Sequence, residues 1–290
     1  MKTIRDVFFN FHQGLDELYG AHEAEAITLM VMSEITDISR AKLKAFPEDD
    51  VPSEALENIG SILAELKTGK PVQYILGSTE FYGLTFLVNP AVLIPRPETE
   101  ELVEWTLETV GSLQLAAGIE ETPLRILDIG TGSGCIAISL KKNLPDAALT
   151  ALDISADALQ TAKQNAVINE VDVEFIQTDI LNQSPLTTHY SLIISNPPYV
   201  TLQDKTLMHA NVTDFEPHTA LFVPEDNPLL FYDAIADFAR NNLLPGGLLF
   251  FEINEAFGQE TVELLANKGF INIELRKDMS GRDRMIKASL

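Results

Sequence analysis

The sequence predicts an α/β fold: a mostly parallel seven-stranded sheet preceded by a small N-terminal helical bundle and a β-hairpin linker. Three observations carry this. Short apolar runs alternate with amphipathic helical segments through the second part of the chain, which calls for parallel strands covered on both faces by their connecting helices. A glycine-rich turn follows the first of those runs. Residues 1–80 instead carry apolar residues at helical spacing.

In that first stretch Ile4, Val7, Phe8, Phe11 and Leu15 share a helical face, as do Ala26, Leu29, Met30 and Ile35. "SEALENIGSILAELKTGK" places Leu56, Ile59, Ile62, Leu63 and Leu66 on one face, with Ser53 expected as the N-cap. Residues 81–97 read as a linker: two β-prone runs around Asn89-Pro90 predict a hairpin turning there, followed by the rigid "IPRPETE". An amphipathic helix is expected from about Glu98, and residues 98–290 form the second domain. After "GIEETP" (118–123), strands are expected at Leu124–Ile129, Leu149–Asp153, Val173–Gln177, Leu192–Ser195, Leu248–Ile253, Ile271–Leu275 and Met285–Ala288. Helices fall between them, including Ala156–Asn169 behind a Ser155 cap.

Composition narrows the function. With 43 acidic and 20 basic residues the formal charge is −23, an unfavourable mean field for gripping phosphates. One cysteine excludes an intrachain disulfide and suits a reducing compartment. The five histidines show no HExxH-like spacing, so no metal is expected. The opening residues lack the unbroken apolar core of a signal peptide, and no run is long enough for a membrane span, which predicts a cytoplasmic protein.

In a doubly wound sheet, ligands bind beyond the carboxyl ends of the strands, and the unusual residues lie at those ends. "RILDIGTGSGCIAISL" is a strand, a turn and a helix, with Gly130, Thr131, Gly132, Ser133 and Gly134 available to a ligand's close approach. The helix from about Gly134 is expected to aim free N–H groups at the same place. A GxGxG alone equally suits a tightly packed turn, but two more strands end in acids. Asp153 is placed to accept ribose hydroxyls, and Asp179 to meet an adenine amino group, although either could be a helix cap. Asp128 precedes the loop, where a carboxylate would repel a diphosphate and attract an amino group or sulfonium. With no GK[ST] lysine in the loop, S-adenosylmethionine is expected rather than NAD. Cys135 reads as a packing residue.

The fourth strand ends in Asn196, Pro197, Pro198 and Tyr199. The prolines stiffen the turn and hold the residues before them extended. Neither has an N–H, so the Asn196 side-chain oxygen and the Pro197 carbonyl can accept both hydrogens of one –NH2 group, with Tyr199 expected to stack on its plane. The guest is an amide or an exocyclic aromatic amine. Its delocalised lone pair makes it a poor nucleophile, and positioning would aim it at a sulfonium methyl.

With these residues in place, the second half resembles the Rossmann-like class I S-adenosylmethionine-dependent methyltransferases. "NPPY" is shared by adenine-N6 and protein-glutamine-N5 enzymes. "PVQYILGSTEFYGLTFLVNPAVLIPRPETEELVEW" (71–105), "FEPHTALF" (215–222), "LLPGGLLFFEI" (243–253) and "SGRDRMIKA" (280–288) resemble the release-factor glutamine methyltransferases. That resemblance implies methyl transfer to the glutamine N5 of the Gly-Gly-Gln motif of peptide chain release factors, with S-adenosylhomocysteine as product. It implies that Gly130 to Gly134, Asp153 and the backbone near Asp179 and Ile180 bind the cofactor, and that Asn196 to Tyr199 hold the glutamine. Arg96, Glu98 and Glu100 would shape the site, and the N-terminal bundle would embrace the protein substrate. Separately from the resemblance, a monomer is expected. The segment 222–232 departs from the family pattern, so no contacts are carried over to it. Two rival readings remain at this point: adenine-N6 methylation of DNA or RNA, and a non-catalytic S-adenosylmethionine-binding module.

Overall fold

The computed structural model describes residues 2–117, 124–182, 188–206 and 208–290. The expected loop at 118–123 lies outside them. The chain forms two compact units, Met1–Gly77 with His209–Phe215, and Ser78–Met208 with Glu216–Leu290.

The first unit is helical. Helix α1 (Ile4–Thr36) opens with a capping box in which Thr3 Oγ1 accepts the Asp6 N–H and Asp6 Oδ2 accepts the Thr3 N–H, both at 3.2 Å. It kinks at Gly20, whose φ of 76° lies outside the helical region. Helices α2 (Arg40–Ala45), α3 (Ser53–Leu66) and α4 (Val72–Leu76) follow. Phe11, Leu15, Met32, Ile59 and Leu66 form the fully buried centre. Pro52, rather than the expected Ser53, stands at the N-cap of α3, and no side chain caps that helix. Proline's fixed φ places Ser53 already in the first turn.

The second unit begins with a hairpin of β1 (Ser78–Phe81) and β2 (Leu84–Leu87), paired Phe81 to Leu84. The turn is Tyr82-Gly83, not Asn89-Pro90 as the sequence suggested. Both central residues have positive φ, 50° and 71°, as a two-residue turn of matching twist requires. Asn89 is a polar clasp instead. Its Oδ1 accepts the Ala91 N–H and its Nδ2 donates to Thr161 Oγ1, each at 2.9 Å.

Helix α5 (Pro97–Ala117) leads into the main sheet. In chain order come β3 (Arg125–Ile129), α6 (Cys135–Asn143), β4 (Ala148–Asp153), α7 (Ala156–Ile168), β5 (Glu174–Gln177), β6 (Tyr190–Ser195), β7 (Leu243–Glu252), β8 (Ile271–Lys277) and β9 (Asp283–Ser289). Helices Leu230–Asn242 and Gly258–Asn267 flank β7 on either side in sequence. The spatial order is β5-β4-β3-β6-β7-β9-β8. The first five are parallel, β9 pairs antiparallel with β7, and β8 pairs antiparallel with β9. Successive residues of β7 serve opposite faces, as strand geometry dictates. Phe250 meets Trp105 edge-on at 5.4 Å, whereas Phe251 meets Tyr232 at 5.3 Å in the other core.

Helix α7 ties the hairpin to the sheet through amides. Buried Asn165 accepts the Leu87 N–H at 2.7 Å, and its Nδ2 donates to the Leu87 carbonyl at 3.0 Å and the Ser133 carbonyl at 2.9 Å. One side chain thus completes the β2 backbone and restrains the glycine loop. Asn165→Ala strands those backbone groups and is expected to cost about 1–3 kcal/mol, the scale of a buried unsatisfied polar group. A urea unfolding midpoint equal to that of the wild type would contradict this role.

Candidate active site

A cavity of about 430 Å³ opens at the carboxyl ends of β3, β4, β5 and β6. The sheet order reverses at β3 and β6, so the loops leaving these strands diverge and leave a crevice.

The glycine loop is closed by its own hydrogen bonds. The amides of Gly130 and Thr131 donate to the Leu152 carbonyl at 2.9 and 2.8 Å, Gly132 donates to Asp153 Oδ2 at 2.8 Å, and Gly134 donates to the Thr131 carbonyl at 2.8 Å. Gly134, at φ +83°, lets α6 approach α7: a Cβ there would come within 2.8 Å of Ile138 Cδ1 and 3.2 Å of Ala162 Cβ. The first three amides hold the loop to the end of β4, and the fourth closes the loop on itself. The loop is therefore poorly equipped to cradle a phosphate, and the acids beside it suit a ligand carrying hydroxyls and positive charge.

Gly130, Thr131, Gly132, Ser133, Asp153, Asp179 and Ile180 line the cavity. Asp153 accepts the Gly132 and Ser155 amides, one on each oxygen, and burial raises its pKa. Asp179 accepts the Leu181 N–H at 2.9 Å. Asp128 differs from expectation. It is fully buried behind the loop and does not line the cavity; Oδ2 accepts the Thr131 hydroxyl at 2.6 Å, and Oδ1 has no partner among the described residues. Burial, partly offset by Thr131, lifts its pKa to about 7. Cys135 is buried and its thiol is pushed up to about 12, so it packs rather than reacts.

Asn196, Pro197 and Pro198 form the wall at the end of β6. Asn196 Nδ2 donates to Thr99 Oγ1 at 3.1 Å, leaving Oδ1, like the Pro197 carbonyl, without a partner among the described residues. Tyr199 does not line the cavity. Its hydroxyl donates to buried Glu252 Oε1 at 3.0 Å, burial holds its pKa well above the usual phenol value, and its ring packs against the second core. The predicted stacking face is thus a brace. Beyond it, the Val200 N–H donates to the Leu221 carbonyl at 2.9 Å, and Asn254 Nδ2 donates to the Tyr199 carbonyl at 3.0 Å.

"IPRPETE" divides. Arg96 lines the cavity and donates to Glu216, which also accepts the Ile94 N–H at 3.2 Å. Glu98 is half-buried away from the cavity wall, and Glu100 accepts the Tyr82 N–H at 2.6 Å, bracing the hairpin turn. Sequence reasoning missed Thr99, Glu216, Glu252 and Asn165. Glu252 had a legible signal, since it is an acid at the carboxyl end of an apolar strand, like Asp153. Phe222, Pro224, Leu230 and Phe231, in the segment left without contacts, also line the cavity. Among the described residues there is no cluster of His, Cys, Asp and Glu able to hold a metal ion, and no helix long and apolar enough to cross a membrane.

This sheet order, glycine loop and acid-ended strands define a class I methyltransferase. Residues 109–214 match the methyltransferase small domain and residues 11–77 the PrmC N-terminal domain. The fold is shared with a methyltransferase from Pyrococcus furiosus, 15% identical with a TM-score of 0.51 over 82% of this chain and 98% of that one. The particular family follows from closer relatives. The release factor glutamine methyltransferase of Flavobacterium psychrophilum is 46% identical over 99% of both chains, and that of Bacteroides thetaiotaomicron 40% identical over 96% of both. The chain belongs to the release factor glutamine methyltransferase family.

Asp128 gives this site a pH signature. Its pKa in the fold lies above the ordinary 3.8, so its contribution to stability is complete below that value and is lost as pH rises through about 7. Asp128→Asn keeps an acceptor for Thr131 and cannot ionise. Its stability is expected to gain on that of the wild type between about pH 4 and about pH 7, with a slope of at most ~1.4 kcal/mol per pH unit, and to hold level above that, as read from urea unfolding at each pH. A gap that does not change with pH would refute the assignment.

Proposed function

We propose that this protein methylates the side-chain N5 of the glutamine in the Gly-Gly-Gln motif of peptide chain release factors, using S-adenosylmethionine and releasing S-adenosylhomocysteine. The observation that carries the reading is the pair of unclaimed acceptors, Asn196 Oδ1 and the Pro197 carbonyl, on a cavity wall fixed from behind. Membership of the family gives the guest as glutamine rather than adenine, and the formal charge of −23 favours a protein substrate over a nucleic acid.

Bound in the cavity, the cofactor supplies an electrophilic methyl on a sulfonium. Asp153 is assigned to its ribose hydroxyls, Asp179 and Ile180 to the adenine end, and the wall from Gly130 to Ser133 to the remainder. Gly134 permits the approach of α6, and Asp128 acts through Thr131. Asn196 and Pro197 each accept one N–H of the guest amide, fixing the nitrogen's lone pair towards the methyl. Pro198 keeps the wall rigid, and Tyr199 anchors it to Glu252. No strong base is needed, because the nitrogen becomes acidic as it gains the methyl. Arg96 is assigned to the substrate side of the cavity and Glu98 and Glu100 to shaping its approach; the first unit is assigned to recognition of the release factor.

Incubation with labelled S-adenosylmethionine and either release factor or methyl-free DNA tests the reading. Label is expected on the glutamine by mass spectrometry, and label on DNA alone would overturn it. Asn196→Ala should keep cofactor affinity and lower turnover by roughly 10²–10³-fold, the scale of losing one fixed transition-state partner.

A further inference from the structure

A primary amide can present either its oxygen or its nitrogen, and only the oxygen of Asn196 can accept a guest N–H. Something must therefore set the orientation of that amide. The two neighbours that do so come from distant parts of the chain. Thr99, buried in the first turn of α5, donates its hydroxyl proton to Glu252 Oε2 at 2.6 Å. The same Thr99 oxygen accepts Asn196 Nδ2–H at 3.1 Å. Glu252 is 1% exposed, at the end of β7, and its Oε1 accepts the Tyr199 hydroxyl at 3.0 Å.

A hydroxyl has one proton to give. With the Thr99 hydroxyl donating to Oε2, as the 2.6 Å contact has it, Oε2 of Glu252 is the acceptor, and any proton on the carboxyl sits on Oε1. The Thr99 proton is thereby committed, and only lone pairs face Asn196. Those lone pairs can be met by the –NH2 of the amide but would repel its oxygen. Were the Thr99 proton free to turn, the amide could flip and offer donors to a guest that also brings donors.

We propose that Glu252 and Thr99 are positioning residues that fix the polarity of the Asn196 amide, so that its oxygen faces the –NH2 group of the substrate. This rests on the reading of Asn196 as the holder of that group. Glu252 lies off the cavity wall and acts through Thr99; Thr99 lines the cavity beside Asn196 and acts through its amide. Tyr199, on the second carboxylate oxygen, ties the far end of the same wall to the same anchor.

Methylation of a release factor by the full-length protein tests this, with cofactor affinity measured by calorimetry. Thr99→Val, nearly isosteric without the hydroxyl, is expected to lower kcat by about 10–100-fold, the usual scale for a residue that orients a site side chain, and to leave cofactor affinity within about two-fold. Thr99→Ser should restore most of the rate, and Thr99→Ala serves if valine is not accommodated. The decisive comparison uses the Asn196→Ala background, where loss of the Thr99 hydroxyl should cost nothing further, because no amide remains to orient. An equal loss in both backgrounds, or no loss in either, would overturn the proposal while leaving the methyl-transfer reading intact. A wild-type protein that methylates no release factor would instead overturn that reading and this inference together.

Discussion

Everything at the site depends on β3 being hydrogen-bonded to β4 on one side and to β6 on the other, all three parallel. Parallel pairing brings three carboxyl ends to one edge of the sheet, and the reversal of strand order there keeps their loops apart. The pairing then extends past the strands. Leu152, on β4, accepts two amides from the loop that leaves β3, and Ser195, ending β6, donates its hydroxyl to the Ile129 carbonyl at 2.6 Å. The three ends are stitched together by backbone and hydroxyl groups, so the cavity floor follows from the sheet.

The walls are held by buried acids. Asp128, Glu216 and Glu252 are almost wholly removed from water, and Asp153 is half-buried. Most of their partners are hydroxyls and backbone amides, with Arg96 on Glu216 the exception. Such donors are directional without adding a cation that would repel a positively charged guest. Burial raises the pKa of Asp128, Asp153 and Glu252, and neighbouring hydroxyls or amides oppose that shift.

Much of this architecture was legible in the sequence. Alternating apolar runs located the strands, and the strand ends pointed to Asp153, Asp179 and Asn196, because spacing and punctuation are local signals. The failures have a common physical origin. Asn89-Pro90 looked like the hairpin turn, but register was set by Tyr82-Gly83, where both residues take positive φ. Tyr199 looked like a surface for a guest, yet its hydroxyl found an acid more than fifty positions away. Thr99 and Glu252, Asn165 and Leu87, and Ile94 and Glu216 are likewise joined across long stretches of chain. No local pattern encodes such pairs. The sequence shows which residues are out of place in an apolar context, and only the fold shows what they meet.

The position of β9 has a consequence for how this sheet is assembled. It lies between β7 and β8, antiparallel to both, and among the described residues β8 pairs with no other strand. β8 precedes its partner in the chain, so until β9 is in place both β8 and one edge of β7 are left with unpaired backbone groups. Phe250 and Phe251 of β7 are fully buried in the finished sheet, whose pairing on that side is complete only once β9 lies between two strands that precede it in the chain.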